Sequence, residues 1–531
     1  MDEPKRLDMT EAELEALFGR LDQGLLTDED RRNIKDFIAA LIWMSHKLED
    51  KELSIKRLQR LFGIKTEKAE NLFGSKDKDK DDKGQGGSPP AKNRNPEPKP
   101  KGKNGASDYP DAERKIYPHE SLKVGHTCPS CARGTLFQFG FGSVLRLKGQ
   151  PPIKAEVHMP EQLRCSGCLE IFTASLPVDV GSERADACAK ATIAMFRYGA
   201  GMPFYRLEKL SEMFQVPLPD STQWDMAESV TEAVYPAFNA LMSFAAQGSL
   251  FNADDTGNRV VWLKKQLIAE GSERTGIFST GILSKVGGRE IALFFTGNKH
   301  AGENMSALLK RRAAGLAPPN LMCDALSRNK PKGVEVVYGN CMDHARRDFV
   351  DVIPKYETEC RYFIERVGFV YLHDREAKLN KLDDDARLEY HKEKSLPIME
   401  EIKAWCEQKL VQKEVEPNGP LGRSVQYFLN HYTELTEFCK APGMPLSNAA
   451  VERLIKTAVL HRKNSLFYMS ITGALVGDVL MSLIQTAKRA GVNVLDYLTR
   501  LQEHAADVKK NPNAWLPWNY LERANLLQPI R

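Results

Sequence analysis

In the stretch SLFNADDTG, residues 249–257, the first five residues (249–253) read as a short β-strand that ends at two adjacent carboxylates, Asp254 and Asp255. Further short β candidates follow at 259–264, 275–283 and 290–296, then a helix over 302–314, then strands at 320–323 and 334–338. Strands, then a helix, then strands again is an α/β pattern. A second acid, Asp324, closes the strand NLMC at 320–323. An acid at the carboxyl end of a strand, where the sheet opens into a loop, is well placed to hold a hard cation. A third, Glu452, falls on a helix in NAAVERLIK, residues 448–456, with Asn448 and Lys456 one turn to either side on the same face. Three carboxylates converging there would suit two magnesium ions about 3.5–4 Å apart, which activate water or a 3′-hydroxyl for attack on phosphate. Spacing alone leaves blander readings open: a strand-end Asp is more often a turn former, and a helical Glu usually lies on a solvated face.

The rest of the composition bounds this reading. At 531 residues the chain is too long for one compact domain, and roughly 150 residues per domain suggests three or four units. An apolar share of 42% and a charged share of 27% are those of an ordinary soluble protein. No charged-then-apolar leader precedes a small-residue cleavage site, so secretion is not expected. The most apolar stretch, 471–487, is too short for a bilayer and carries Asp478, so a membrane protein is not expected either. The net charge of +4 is compatible with a nucleic-acid partner without arguing for one.

Upstream of the strands lie several distinct segments. Ile34, Leu41, Leu48, Ile55 and Phe62 repeat every seven residues, with Phe37, Met44, Lys51 and Leu58 at the second core position and only Lys51 breaking the seam. This predicts a coiled-coil helix, or equally a helical hairpin with residues 11–26. Residues 75–104 alternate Lys and Asp, then run through Gly-Gly-Ser-Pro-Pro and Pro-Lys repeats, and read as a disordered tether. Cys128, Cys131, Cys165 and Cys168 form two C-x-x-C knuckles, and four soft thiolates at this spacing predict a closed, structural zinc site. Hairpin strands are expected between them at 135–141, 143–147 and 155–158. The other cysteines are scattered and expected to be reduced core residues. Residues 184–246 read as helical, and two helices around QVPLP (215–219) form either a helix-turn-helix or an ordinary αα-hairpin. Beyond Cys341 the chain turns helical almost to its end.

These residues together carry a resemblance. NADDTG around Asp254, MCDALSRN around Asp324, CMDHARRDF from Cys341 and NAAVERLIKTAVLHRKNSLF from Asn448 look like the transposases of the insertion-sequence-66 family. LQRLFGIKTEKAENLF (58–73) resembles that family's N-terminal stretch, the cysteine region its zinc-binding domain, and MPFYRLEKL with STQWDM its helical segment before the core. The resemblance covers most of the chain, in the family's order. It implies a bacterial DDE enzyme with an RNase H-like core, and it matches Asp254, Asp324 and Glu452 to the family's catalytic acids. Asp255 stands where the family commonly has Glu. Cys341 and His344 match a Cys/Asp-x-x-His signature that follows the second acid in DDE transposases with a helical insertion; a helix cap and a buried histidine, or a metal-binding pair, are the other readings.

The 128 positions between Asp324 and Glu452 exceed what a minimal RNase H core needs, so a helical insertion is expected. Within it, Trp405 is a core residue or a base-stacking platform. His344, Arg346, Arg347, Lys456, Arg462 and Lys463 are the expected DNA contacts. The resulting plan is multidomain α+β. An N-terminal coiled-coil arm (1–74) leads through a disordered linker (75–110) to a zinc-ribbon-like module (111–180) and a helical domain (181–247). The RNase H-like core follows in two parts (248–352 and 441–500), split by a helical insertion (353–440), before a C-terminal tail (501–531). The implied activity is binding of terminal inverted repeats, then DNA cleavage and strand transfer with two Mg²⁺ (or Mn²⁺) ions, alongside structural Zn²⁺. Implied partners are the element's ends, target DNA, a second copy or higher oligomer, and accessory element-encoded proteins, in a nucleoid-associated cytoplasmic setting. The competing reading is an inactive or domesticated zinc-containing DNA-binding adaptor.

Overall fold

The computed structural model describes residues 183–527 without a break, together with 121–127, 129, 135–136, 152–164, 166, 171–177, 180 and the single residues Arg20, Thr27 and Asp30. The expected coiled-coil seam, the tether and all four knuckle cysteines lie outside the described residues. The chain divides into two units, Met1–Lys80 and Asp81–Arg531. In the first, Arg20 grips Asp30 through two hydrogen bonds of 2.9 and 2.8 Å, and Thr27 and Asp30 bond each other's backbone N–H. Thr27-x-x-Asp30 is thus a reciprocal helix-start device.

The second unit is mixed α+β. A small antiparallel pair, β1 (Gln162–Arg164) and β2 (Ile171–Thr173), precedes the main body. The strand expected at 155–158 does not form: Val157 is exposed and Pro160 follows it, and pairing starts only at Gln162. Helices α1 (Ala187–Ala194), α2 (Phe204–Met213) and α3 (Asp220–Ala245) follow; the Asp186 side chain caps α1 by accepting from the Ala189 N–H at 2.7 Å.

The main sheet holds β3 (Leu250–Gly257), β4 (Phe278–Val286), β5 (Arg289–Gly297), β6 (Asn320–Cys323) and β7 (Val337–Asn340). Their spatial order is β5-β4-β3-β6-β7. The first three run antiparallel as a meander, while β6 and β7 run parallel to β3. The strand expected at 259–264 is instead the start of a helix, α4 (Val261–Ala269). Its Val-Val-Trp-Leu run favours a strand locally, but Val260 finds only an isolated bridge to Tyr468 and Trp262 is exposed, so no sheet neighbour holds it extended. Helix α5 (Ala301–Leu309) connects the meander to β6.

After β7 come α6 (Met342–Val352), α7 (Glu357–Leu379), α8 (Asp384–Lys394), α9 (Leu396–Val411) and α10 (Pro420–Asn430). These helices, called the insertion for their place between β7 and the later helices, have their own apolar contacts, including stacked Phe349 and Phe363 and an edge-on Phe428. Trp405 lies half-buried on α9, its ring tilted against Tyr362 at 4.8 Å, rather than deep in that core. The chain then returns through α11 (Ala449–Ser465), α12 (Ile471–Arg489), α13 (Val494–Glu503) and α14 (Tyr520–Leu527). The segment expected as a C-terminal tail carries Trp515 and Tyr520 into the core.

Helix α12 explains its own polar residues. β5 is an edge strand, and its outward N–H groups would be unpaired beneath a buried helix. Asp478, Ser482 and Thr486, spaced four apart on one face of α12, accept from the N–H groups of Thr296, Phe294 and Ala292 at 2.6, 2.9 and 3.0 Å. The helix thereby supplies the missing neighbour strand with side-chain oxygens. Among the described residues, no helix is long and apolar enough to cross a membrane.

Candidate active site

Adjacent residues of a strand face opposite ways, so Asp254 and Asp255 separate at once. Asp255 sits opposite Thr280 on β4 and accepts from its hydroxyl at 2.6 Å. Its other oxygen takes the Ala301 N–H at 2.9 Å and lies 3.3 Å from the His300 ring. Asp255 is therefore spent on holding the start of α5, where the helix dipole favours a negative charge. Asp254 accepts the Asp255 N–H at 2.8 Å and has no cation paired with it. Burial pushes its carboxyl up to about 7; the Asp255 N–H works against that rise, and the charges of Asp324, Glu452 and Asp255 add to it. The last effect puts Asp324 and Glu452 within electrostatic reach of Asp254, which lies inside β3 rather than at its end as expected, since β3 stays paired with β4 as far as Gly257.

Asp324 follows β6, the parallel neighbour of β3, and accepts a hydrogen bond from the Asn329 amide. Glu452 lies in the first turn of α11, and its Oε1 is buried with no hydrogen-bond partner. Asn448 fixes that helix against β3. Only 1% exposed, it donates to the Ala253 carbonyl and accepts from the Asn252 amide, each at 3.0 Å. Asn252 and Asp254 share a face of β3 two residues apart, so one latch sets both the helix and the first acid.

Cys341 caps the start of α6, and His344 lies one turn on. The Cys341 sulfur accepts the Asn448 N–H at 3.2 Å, and burial pushes its thiol up to about 12. His344 Nδ1 is buried without a partner. The ligand atoms of Cys341, His344 and Glu452 all lie within 4.8 Å of one another. Glu452 thus stands between two groups: Asp254 with Asp324, and a Cys-x-x-His pair.

The expected basic contacts divide. Arg347, Lys456 and Lys463 are exposed, and the latter two share a stripe of α11 with Arg453 and Leu460. Arg346 is half-buried. Arg462 is occupied by the chain itself, donating to the Thr256 hydroxyl at 3.2 Å and to the Gly257 carbonyl, and so ties the far end of α11 to the end of β3. Cys128, Cys131, Cys165 and Cys168 lie outside the described residues; of the scattered cysteines, Cys323, Cys341, Cys360, Cys406 and Cys439 are buried and free as expected, whereas Cys188, also free, is exposed rather than in the core. Sequence reading missed Asn252, Asn329 and Tyr427. Asn252 had a signal, a lone amide in an apolar strand. Tyr427, on α10, is held in its neutral form by burial and by Asp348 and Asp324 nearby, so the insertion reaches back to the second acid.

The model of the Transposase IS66 family matches residues 183–475, more than half of the chain, and that span holds all three acids and the insertion. Uncharacterized protein y4jD of Sinorhizobium fredii (strain NBRC 101917 / NGR234) is 28% identical over 200 residues, covering 37% of this chain and 38% of its own length. Uncharacterized protein y4hP of the same organism is 23% identical over 407 residues, 71% of each chain. A third, y4qI, is 26% identical over 186 residues, 34% of this chain and 33% of its own. This chain thus spans well under half the length of y4jD. No solved structure matches it significantly.

Proposed function

The chain belongs to the IS66 family of transposases, and from that premise we propose that it cuts the ends of its own element and joins them to target DNA at Asp254, Asp324 and Glu452. The observation that carries this reading is the state of Asp254. A half-buried carboxyl with acids rather than cations around it is an unfavourable arrangement in a merely structural site; Asp478, raised as far, is by contrast bonded to Thr296 through both its oxygens. Divalent cations answer that arrangement, and the donor set fits: carboxylate oxygens on β3 and just past its parallel neighbour β6, and an unpartnered Glu452 oxygen. When bound, two Mg²⁺ or Mn²⁺ ions would activate the attacking water or 3′-hydroxyl and stabilise the leaving oxygen.

The chain's own residues do the positioning. Asn329 orients Asp324 by donating to it, and Asn448 with Asn252 sets α11 against β3, with Glu452 in electrostatic reach of Asp254. Lys456, Lys463 and Arg347 are placed to meet phosphates, a sequence-independent contact. The mixed sheet with acids on two adjacent parallel strands supports reading 248–352 and 441–500 as a split RNase H-like core. Upstream, Cys128, Cys131, Cys165 and Cys168 would hold a structural zinc in a module that grips DNA or a partner, and the 34–62 heptads would pair two copies. Terminal inverted repeats and target DNA are the proposed partners.

The test is incubation of the full chain with labelled DNA of the element's ends, with and without Mg²⁺. Nicked and joined products that need both Mg²⁺ and Asp324 are expected. Joining retained by Asp324→Ala would refute the mechanism, and end binding without any cleavage would favour the adaptor reading.

A further inference from the structure

We propose that Cys341, His344 and Glu452 form a second metal site, distinct in chemistry from the oxygen-lined one, that takes a zinc-like divalent cation. Cys341 and His344 are three apart at the start of α6 and share one face, while Glu452 comes from the first turn of α11. The backbone locks the two helix starts together: the Met342 N–H donates to the Leu446 carbonyl, and the Asn448 N–H to the Cys341 sulfur. One sulfur, one imidazole nitrogen and one carboxylate oxygen then fall within 4.8 Å of one another. Ligands around a tetrahedral zinc stand roughly 3.3–3.8 Å apart, given its bond lengths, so small side-chain rotations close the site. Two of these residues also carry an unsatisfied polar atom, since His344 Nδ1 and Glu452 Oε1 are both buried with no hydrogen-bond partner. A buried polar atom left unpaired is costly, and a cation satisfies both atoms at once.

The donor set selects the ion. Magnesium demands oxygen ligands in near-octahedral array, whereas sulfur, nitrogen and one carboxylate suit zinc and leave its fourth position open. Binding displaces the thiol proton of Cys341 to solvent, leaving the thiolate as ligand. Because Glu452 is shared, zinc here draws its carboxylate away from Asp254 and Asp324. The site therefore works as an antagonist of the magnesium site. This consequence rests on the proposed role of Glu452; the zinc site itself rests only on the cluster.

The test is zinc stoichiometry of the full chain by equilibrium dialysis at buffered free zinc in excess Mg²⁺, with circular dichroism to establish folding. Cys341→Ser, His344→Ala and Glu452→Ala should each hold one zinc per chain fewer than the wild type. Cys128, Cys131, Cys165 and Cys168 are unchanged throughout, so any zinc they hold cancels. Asp254→Ala should keep the full wild-type zinc content. Should His344→Ala not fold, His344→Gln, which preserves bulk but removes the imidazole, is expected to show the same loss. Folded Cys341→Ser and His344 variants that retain the wild-type stoichiometry would overturn the proposal. Loss of DNA nicking by Asp254→Ala with zinc retained would separate this site from the catalytic reading.

Discussion

Two carboxylates in this protein, one buried and one half-buried, are treated in opposite ways. Asp374, in the helical insertion, is 6% exposed and surrounded by cations. Arg387 donates to it twice at 3.1 and 2.7 Å, Lys378 once at 2.5 Å, and His391 Nε2 lies 3.5 Å away. Burial alone would raise its carboxyl, but His391, Lys378 and Arg387 outweigh that and hold it well below the usual range. Arg387 also donates to the Met444 carbonyl, so the cluster pins the insertion to the segment leading into α11. Asp254, in the sheet, has acids for neighbours and is pushed up to about 7, chiefly by burial. One carboxylate is compensated within the fold. The other has the Asp255 N–H for a partner and acids, not cations, around it.

The sharpest way to break this contrast is to remove each acid and read activity. Alanine at Asp254, Asp324 or Glu452 should lower Mg²⁺-dependent joining by on the order of 1,000-fold or more, with end binding nearly unchanged in a mobility-shift assay. Stability should report the reverse. Asp374→Ala strands Arg387 and His391 in the insertion and should cost about 3–5 kcal/mol in urea unfolding, whereas Asp254→Ala should cost far less. Asp255 should fall between the two: losing its hold on α5 should cost about 1–2 kcal/mol, with a smaller loss of joining than at Asp254. Lys456→Ala should have the smallest effect, weakening DNA binding uniformly across sequences and reducing the salt slope of affinity by about one.

How much of this was legible depended on distance along the chain. Asp254 and Asp324 could be placed because each ends a local apolar run, and the register of β3 then assigned Asp254 and Asp255 to different faces. The Val-Val-Trp-Leu run at 260–263 misled, because local β preference counts for little where no partner strand exists. Asn448 could be put on the right helix face, but its bond to Asn252, 196 positions away, leaves no mark in either segment. The Asp374 cluster shows the same limit: Lys378 lies one helical turn away, whereas Arg387 and His391 come from α8. Likewise Cys-x-x-His was visible as a pair, and only the fold brings Glu452 to it.

The most direct test compares thermal melting of the wild type and Asp254→Asn, with and without Mg²⁺. Because the folded Asp254 carboxyl is raised above its ordinary 3.8 to about 7, its protonated form stabilises the metal-free fold. That contribution is complete below about 3.8 and is lost as the pH rises towards 7. At pH 8 and without metal, Asp254→Asn should therefore melt higher than the wild type. Adding Mg²⁺ should raise the wild-type melting temperature and leave that of Asp254→Asn almost unmoved. Equal Mg²⁺ responses in the two proteins would contradict the claim that this carboxylate is kept for a cation.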